Sequence, residues 1–178
     1  MEFLNAYAIV AYVDGPVARF TEDLRAELDP GARHNAHITV LPPRALECSS
    51  QEAIELAGRL VDGVRPVQVR AGCVEAFRDT QVIHLDLSDG APELIALHEK
   101  LNTGCFSQQE LYDYFPHITL AQNLAAGSID GLLGDLRQRW QRFGPPPPMQ
   151  IATLTLVRQR ADGTWHDLAR ISLTSPGG

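Results

Sequence analysis

The stretch His37-Ile38-Thr39-Val40-Leu41-Pro42-Pro43 decides most of what this sequence predicts, because its first three residues occur a second time. The second copy lies within Pro116-His117-Ile118-Thr119-Leu120-Ala121. With six histidines in 178 residues, about 0.3 His-x-Thr tripeptides are expected by chance. Both copies share the central isoleucine, and each opens an apolar run. They are therefore predicted to begin two short, matching strands.

Alternation along a strand places the histidine and threonine of each copy on one face and the isoleucine on the other. If the two polar faces share a cleft, one imidazole can take a proton from an attacking oxygen while the other protonates the leaving oxygen. Threonine hydroxyls can donate to the non-bridging oxygens of a phosphate. The pattern indicates phosphodiester chemistry without a metal, with His37 and His117 as the catalytic pair and Thr39 and Thr119 as phosphate ligands.

Working outward from the two motifs, the apolar periodicity predicts an α+β chain. Strands are predicted at Phe3–Val13, His37–Leu41, Val67–Phe77, Gln81–Leu87, His117–Ala121, Ile151–Val157 and Trp165–Leu173. Helices are predicted at Val17–Leu28, Ser49–Val61, Ala91–Leu101 and Ile129–Phe143, with a helix stop at Asp29-Pro30-Gly31 and a stiff connector at Pro145–Pro148. Each half contains one His-Ile-Thr strand preceded by a strand and a helix, which suggests an internal duplication with pseudo-twofold symmetry.

Composition sets the limits on size and partners. The chain is 44% hydrophobic, which is enough for one domain over residues 1–178, built as two lobes. Its formal charge of −7 argues against binding to duplex DNA or to an anionic membrane, while a small anionic substrate stays compatible. The apolar stretch Ala6–Val13 lacks a preceding basic region, so neither a signal peptide nor a membrane span is predicted. We expect a monomer.

The three cysteines, Cys48, Cys73 and Cys105, are odd in number and far apart in sequence. They form no CxxC motif, and their spacing predicts no disulfide framework. A reducing cytoplasm is therefore the expected location.

The residues at 37–43 and 116–121 resemble the two signature motifs of the two-histidine (2H) phosphoesterase superfamily, which includes 2′-5′ RNA ligase-like proteins and cyclic phosphodiesterases. The spacing of 80 residues between His37 and His117 is typical of that superfamily, and the order of elements matches over nearly the whole chain. The resemblance implies a bilobed α+β fold, with antiparallel-rich sheets around a central cleft and both histidines on its floor. It further implies hydrolysis of a 2′,3′-cyclic phosphate on an RNA end or a cyclic nucleotide, and in some members 2′-5′ joining of RNA ends, without a cofactor. Which histidine is the base stays open.

Several other residues are candidates for substrate binding. Arg44, after the Pro42-Pro43 turn, and Arg158, near the end of a strand, are the best-placed cations for bidentate phosphate contacts, with a solvated surface position as the alternative for each. Tyr114 is predicted to stack on an unpaired nucleobase, with core packing as its alternative. For Phe115, packing is favoured.

Two further histidines are less specific. His34 forms a His-x-x-His pattern with His37, but no third metal ligand lies nearby, so a loop or rim position is predicted and no metal site. His84 alternates with Val82 and Asp86 on a predicted strand, where a structural or solvent-facing role is favoured over a place beside the cleft.

Two other function classes compete with the phosphodiesterase hypothesis. The first is a catalytically silent nucleotide- or RNA-binding module with the same cleft, and the second is a structural domain that retains only an ancestral repeat. The sequence contains no GxGxxG, GxxxxGK[ST] or GxSxG motif, so dinucleotide binding, ATP-driven ligation and serine hydrolysis are not supported.

Overall fold

The structure, a computed structural model, describes residues 2–28, 34–124 and 129–174. Over these ranges the strands are β1 (Phe3–Tyr12), β2 (His37–Arg44), β3 (Val67–Phe77), β4 (Val82–Asp89), β5 (Ile118–Ala121), β6 (Met149–Ile151), β7 (Thr153–Arg160) and β8 (Trp165–Ser172). The helices are α1 (Gly15–Leu28), α2 (Ser50–Val61), α3 (Ala91–Leu101) and α4 (Ile129–Phe143), and one 3₁₀ turn spans Gly104–Phe106. The predicted helix stop at Asp29-Pro30-Gly31 lies outside the described residues. The α+β prediction is confirmed.

Local sequence explains where α2 begins. Ser49 is its N-cap: the Ser49 hydroxyl accepts from the Glu52 N–H at 3.2 Å, and the Glu52 carboxylate accepts from the Ser49 N–H at 2.8 Å. This reciprocal pair satisfies two backbone donors that the first helical turn would leave unpaired.

The eight strands form one antiparallel sheet in the order β6-β3-β4-β5-β2-β1-β7-β8. The two motif strands, β5 and β2, are neighbours at its centre, so the predicted sheets are the halves of one continuous sheet. Ala152 alone separates β6 from β7, although these strands lie toward opposite ends of the order. The sheet must therefore curl until its ends approach each other, and the predicted uninterrupted strand Ile151–Val157 is broken at Ala152.

The four helices pack on one face of this sheet and share its main hydrophobic core. Helix α1 leads into β2 but packs against β5, while α3 packs against β2. In chain order, β1, α1 and β2 form one strand-helix-strand unit, and β4, α3 and β5 form the other, which agrees with the predicted duplication. Ile38 and Ile118 are fully buried in this core. Because side chains alternate along a strand, the histidine and threonine on either side of each isoleucine point to the opposite, concave face.

The expectation that the cysteines would form no disulfide is wrong. Cys48, in the loop after β2, is bonded to Cys105 in the 3₁₀ turn, and their Cα atoms are 6.0 Å apart. The two positions are 57 residues apart in sequence, so only the fold brings them together. Cys73 is an exposed free thiol.

Within the described ranges, no helix combines the length and the apolar character that crossing a membrane requires.

Candidate active site

The concave face of the sheet forms a cleft with a volume of about 1320 Å³. Both copies of the motif contribute to its lining, together with aromatic side chains from the β1 and β8 side. The lining includes His37, Thr39, His117, Thr119, Tyr12 and Trp165. A cleft of this size is large enough for a nucleotide-sized ligand.

The two motifs adopt the same local geometry. In each copy the isoleucine is fully buried, while the histidine and threonine are partly exposed toward the cleft. Strands β2 and β5 are antiparallel, and Ile38 lies opposite Ile118. This register makes His37 and His117 diagonal neighbours on one face, where antiparallel strands bring such residues to about 7–8 Å. Both imidazoles are therefore within reach of one small ligand.

The same hydrogen bond orients both imidazoles. His37 Nδ1 donates to the Asn35 carbonyl at 2.7 Å, and His117 Nδ1 donates to the Phe115 carbonyl at 2.7 Å. Because a carbonyl oxygen only accepts, the proton of each neutral ring lies on Nδ1. Nε2 of each ring is left with the lone pair that can exchange a proton with a ligand.

The burial of the two rings favours their neutral forms. Burial lowers the pKa of His37 to about 4; the hydrogen bond to the Asn35 carbonyl acts against this shift, and the charge of Arg25 adds to it. Burial also lowers the pKa of His117. An anion bound between the rings favours their protonated forms and raises both pKa values again. A bound phosphate would therefore favour protonation of the histidine that acts as the acid.

His84 lies beside the second motif. The sequence had favoured a structural or solvent-facing role for this residue. It is 2% exposed and pairs with Thr119 across β4 and β5, so its side chain shares the face of the motif residues. Its ring lies 5.0 Å from the His117 ring and stacks on Phe77 at 4.0 Å. Burial, followed by the charge of His117, lowers the pKa of His84 to about 4. The alternation of side chains along β4, visible in the sequence, was the signal that could have placed His84 on this face.

Sequence reasoning missed Arg25, which lines the cleft from α1 although it is only 9% exposed. Its Nε and Nη2 donate to the Thr119 carbonyl, the Nε bond measuring 2.9 Å, and its Nη1 donates to the carbonyls of His34 at 3.1 Å and Asn35 at 3.4 Å. A signal was present: Arg25 falls on the apolar face of α1 beside Leu24, where a charged side chain needs a buried partner. His34, predicted as a loop or rim residue, lies in the cleft lining.

Arg44 does not reach the cleft. It is 4% exposed, and its guanidinium donates to the Asn102 side chain at 2.8 Å, to the Phe106 carbonyl at 2.6 Å and to Glu110. These partners occupy the donors that a phosphate would need. The placement of Arg44 as a phosphate ligand was wrong because a salt bridge to Glu110 buries it.

Arg158 also lies away from the cleft. Its Nε donates to the Leu4 carbonyl at 2.8 Å, and its guanidinium lies over the rings of Phe3 and Tyr7 at about 5 Å. Its neighbour Val157 lines the cleft, so alternation along β7 directs Arg158 to the other face. The prediction for Arg158 was wrong by one position in the strand.

Tyr114 lines the cleft, but its hydroxyl and one face of its ring already make contacts within the protein. Its hydroxyl donates to the Thr39 carbonyl at 2.9 Å, and its ring stacks on His98 at 4.0 Å. Packing, the alternative to base stacking, therefore describes Tyr114 better. Tyr112, which is 67% exposed, and the exposed Phe115 lie in the same lining with ring surface available to a ligand.

Among residues 2–28, 34–124 and 129–174, no group of three or more histidine, cysteine, aspartate or glutamate side chains is arranged to hold a metal ion.

Comparison with known proteins identifies both the family and the fold. The family model of the 2'-5' RNA ligase superfamily matches residues 13–163. A Bacillus cereus (strain B4264) protein named "Putative phosphoesterase" is 25% identical over 149 residues, which cover 78% of this chain and 84% of that protein. A Bacillus mycoides (strain KBAB4) protein of the same name is 25% identical over 141 residues, covering 75% and 80%.

Solved structures share the fold. E. coli LigT complexed with 3'-AMP superposes with a TM-score of 0.66 at 21% identity, covering 96% of this chain and 99% of that one. The complex of E. coli LigT with NADP+ gives a TM-score of 0.64 at 19% identity, with the same coverage. Since the family model spans most of the chain, including both His-Ile-Thr strands, this protein is a member of the 2'-5' RNA ligase superfamily.

Proposed function

We propose that this protein hydrolyses 2′,3′-cyclic phosphates, on RNA ends or on cyclic nucleotides, without a metal, and that His37 and His117 are its acid–base pair. The observation that carries the proposal is the matched geometry of the two imidazoles. Both rings lie on one cleft face, both carry their proton on Nδ1, and both leave Nε2 for exchange.

The chemistry balances with these two groups. One histidine removes a proton from water as its oxygen bonds to phosphorus, and the other protonates the ribose oxygen as its bond to phosphorus breaks. The product is a phosphomonoester beside a free hydroxyl. Thr39 and Thr119, which line the same cleft, would donate to the non-bridging oxygens where negative charge accumulates. With the 5′-hydroxyl of a second RNA in place of water as the nucleophile, the same steps break the bond between phosphorus and the 3′ oxygen, protonate that oxygen, and join the two ends through a 2′-5′ phosphodiester.

Several observations support a small nucleotide or an RNA end as the substrate. The cleft volume fits a nucleotide, and the exposed Tyr112 and Phe115 provide aromatic surface of the kind that unpaired bases stack on. E. coli LigT, which shares the fold, has been crystallised with 3'-AMP and with NADP+. The relatives from Bacillus are named as phosphoesterases.

The test is turnover of a panel of nucleoside 2′,3′-cyclic phosphates and of a short RNA with a 2′,3′-cyclic end, each with and without EDTA. We expect a phosphomonoester product, activity that survives EDTA, and loss of about 10²–10⁴-fold in His37→Ala or His117→Ala. His166→Ala, in the exposed part of β8, is the matched control and should keep full activity. Tight binding without turnover across the panel would favour the silent binding module instead.

A further inference from the structure

The two motif strands have little backbone support where they meet. In the described residues the register joins β2 to β5 at one pair, Ile38 with Ile118. Arg25 adds a side-chain connection at this junction, because one guanidinium donates to the Thr119 carbonyl on β5 and to the carbonyls of residues 34–35, which lead into β2. The planar guanidinium of Arg25 therefore links the residues that lead into β2 to the backbone of β5.

The same guanidinium reaches the His37 imidazole through one shared carbonyl. The Asn35 oxygen accepts from Arg25 Nη1 at 3.4 Å and from His37 Nδ1 at 2.7 Å. Glu22, also on α1, accepts the Ala36 N–H at 2.9 Å. Helix α1 thus fixes the two residues directly before His37, and the carbonyl that sets the tautomer of the ring is itself held in place.

The second motif is supported differently. The His117 ring donates to the Phe115 carbonyl and packs edge-on against the stacked rings of Phe77 and His84, with centroid distances of 5.1 and 5.0 Å. Aromatic packing orients this imidazole. Both imidazoles thus donate to the carbonyl two residues before them, but Arg25 contacts that carbonyl at His37, whereas ring packing supports His117.

We propose that Arg25 is a positioning residue of this site, which fixes the orientation of His37 through the Asn35 carbonyl and couples the two motif strands through the Thr119 carbonyl. Its effect on catalysis rests on the proposed function, whereas its effect on the His37 ring does not. Lysine cannot replace it fully, because a single ammonium group lacks the planar fork that reaches three carbonyls at once.

The charge of Arg25 also acts on His37. Burial is the largest cause of the lowered pKa of His37, the hydrogen bond to the Asn35 carbonyl acts in the opposite direction, and the charge of Arg25 lowers the pKa further. Removing the guanidinium takes away a contribution that lowers the pKa of His37, whereas loosening the Asn35 carbonyl takes away one that raises it, so the tautomer of His37 and kcat report the role of Arg25.

The experiment compares Arg25→Met, Arg25→Lys and the control Arg19→Met, which removes an exposed arginine from the same helix. Imidazole ¹⁵N NMR gives the tautomer and the pKa of His37, and kinetics on a nucleoside 2′,3′-cyclic phosphate give kcat and KM. In Arg25→Met we expect a mixed tautomer of His37 and a kcat about 10–100-fold lower with little change in KM, the size expected for a misplaced catalytic group. Arg19→Met should match the wild type.

Arg25→Lys keeps the charge without the fork, so it should also show the mixed tautomer and the lower kcat. If Arg25→Met does not fold, this variant decides the question. A folded variant at position 25 with the wild-type tautomer and wild-type kcat would overturn the inference. If the wild type turns over no substrate, the proposed function fails by itself, and the NMR comparison still tests the role of Arg25.

Discussion

Replacing His84 by phenylalanine should make the protein less sensitive to acid. The native environment of His84, formed by Phe77, Phe115 and the His117 ring, lowers its pKa to about 4, against 6.5 for an unperturbed histidine. Because the folded pKa is the lower one, the unfolded chain binds the proton first as the pH falls. The stability associated with neutral His84 is present above about pH 6.5 and is lost as the pH approaches 4.

The size of this effect follows from the shift. Each pKa unit corresponds to about 1.4 kcal/mol, so a difference of about 2.5 units corresponds to about 3 kcal/mol between pH 7 and pH 4. Urea unfolding at several pH values in this range gives the free energy of unfolding directly. The drop from pH 7 to pH 4 should be about 3 kcal/mol smaller in His84→Phe than in the wild type. His84→Gln should show the same reduced pH dependence, although its stability at pH 7 will differ because glutamine packs poorly among rings.

His166→Phe, on the exposed hairpin, serves as the control for replacing a histidine by phenylalanine away from His117. If His84→Phe and His84→Gln lost as much stability between pH 7 and pH 4 as the wild type does, His84 would not be held neutral by its buried place beside the His117 ring.

The remaining predictions concern phosphate binding and stability. Thr39→Val or Thr119→Val should lower kcat about 100-fold by removing a donor to the transition state, and a rise in KM alone would show that the hydroxyls bind only the ground state. Arg44→Met should lower the free energy of unfolding by about 3 kcal/mol, because Glu110 and the Phe106 carbonyl lose their buried partner. A raised KM with unchanged stability would instead show that Arg44 binds substrate. Replacing both Cys48 and Cys105 by alanine should lower the free energy of unfolding by about 2–4 kcal/mol in urea without reductant, and the wild type should lose the same amount in dithiothreitol. Equal stability with and without the cysteine pair would contradict the assigned disulfide.

The sequence predicted those parts of the site that depend on local patterns. Alternation within each His-Ile-Thr strand depends only on neighbouring residues, and Ile38 and Ile118 are buried as that pattern requires. The capping pair at Ser49 and Glu52 is equally local. The antiparallel α+β class followed from the order of such segments, because short strands separated by turns pair with one another.

The errors concern side chains whose partners are distant in sequence. Arg44 is buried by Glu110, 66 residues away, and Arg25 reaches a carbonyl 94 residues away at Thr119. No periodicity indicates such partners, because the free energy of burying a guanidinium depends on donors and acceptors that the fold supplies. Arg158 shows a second kind of error, since a displacement of one residue along a strand moves a side chain to the opposite face.

The central claim is that His37 and His117 act as one unit on a single phosphate, and a double-mutant cycle tests it most directly. kcat/KM for a nucleoside 2′,3′-cyclic phosphate would be measured for the wild type, His37→Ala, His117→Ala and the double variant. We predict that each single variant loses about 10³-fold and that the double variant loses little more than either, because removing one proton-transfer partner already disables the other. Losses that multiply in the double variant, or a single variant that keeps wild-type kcat/KM, would contradict the account.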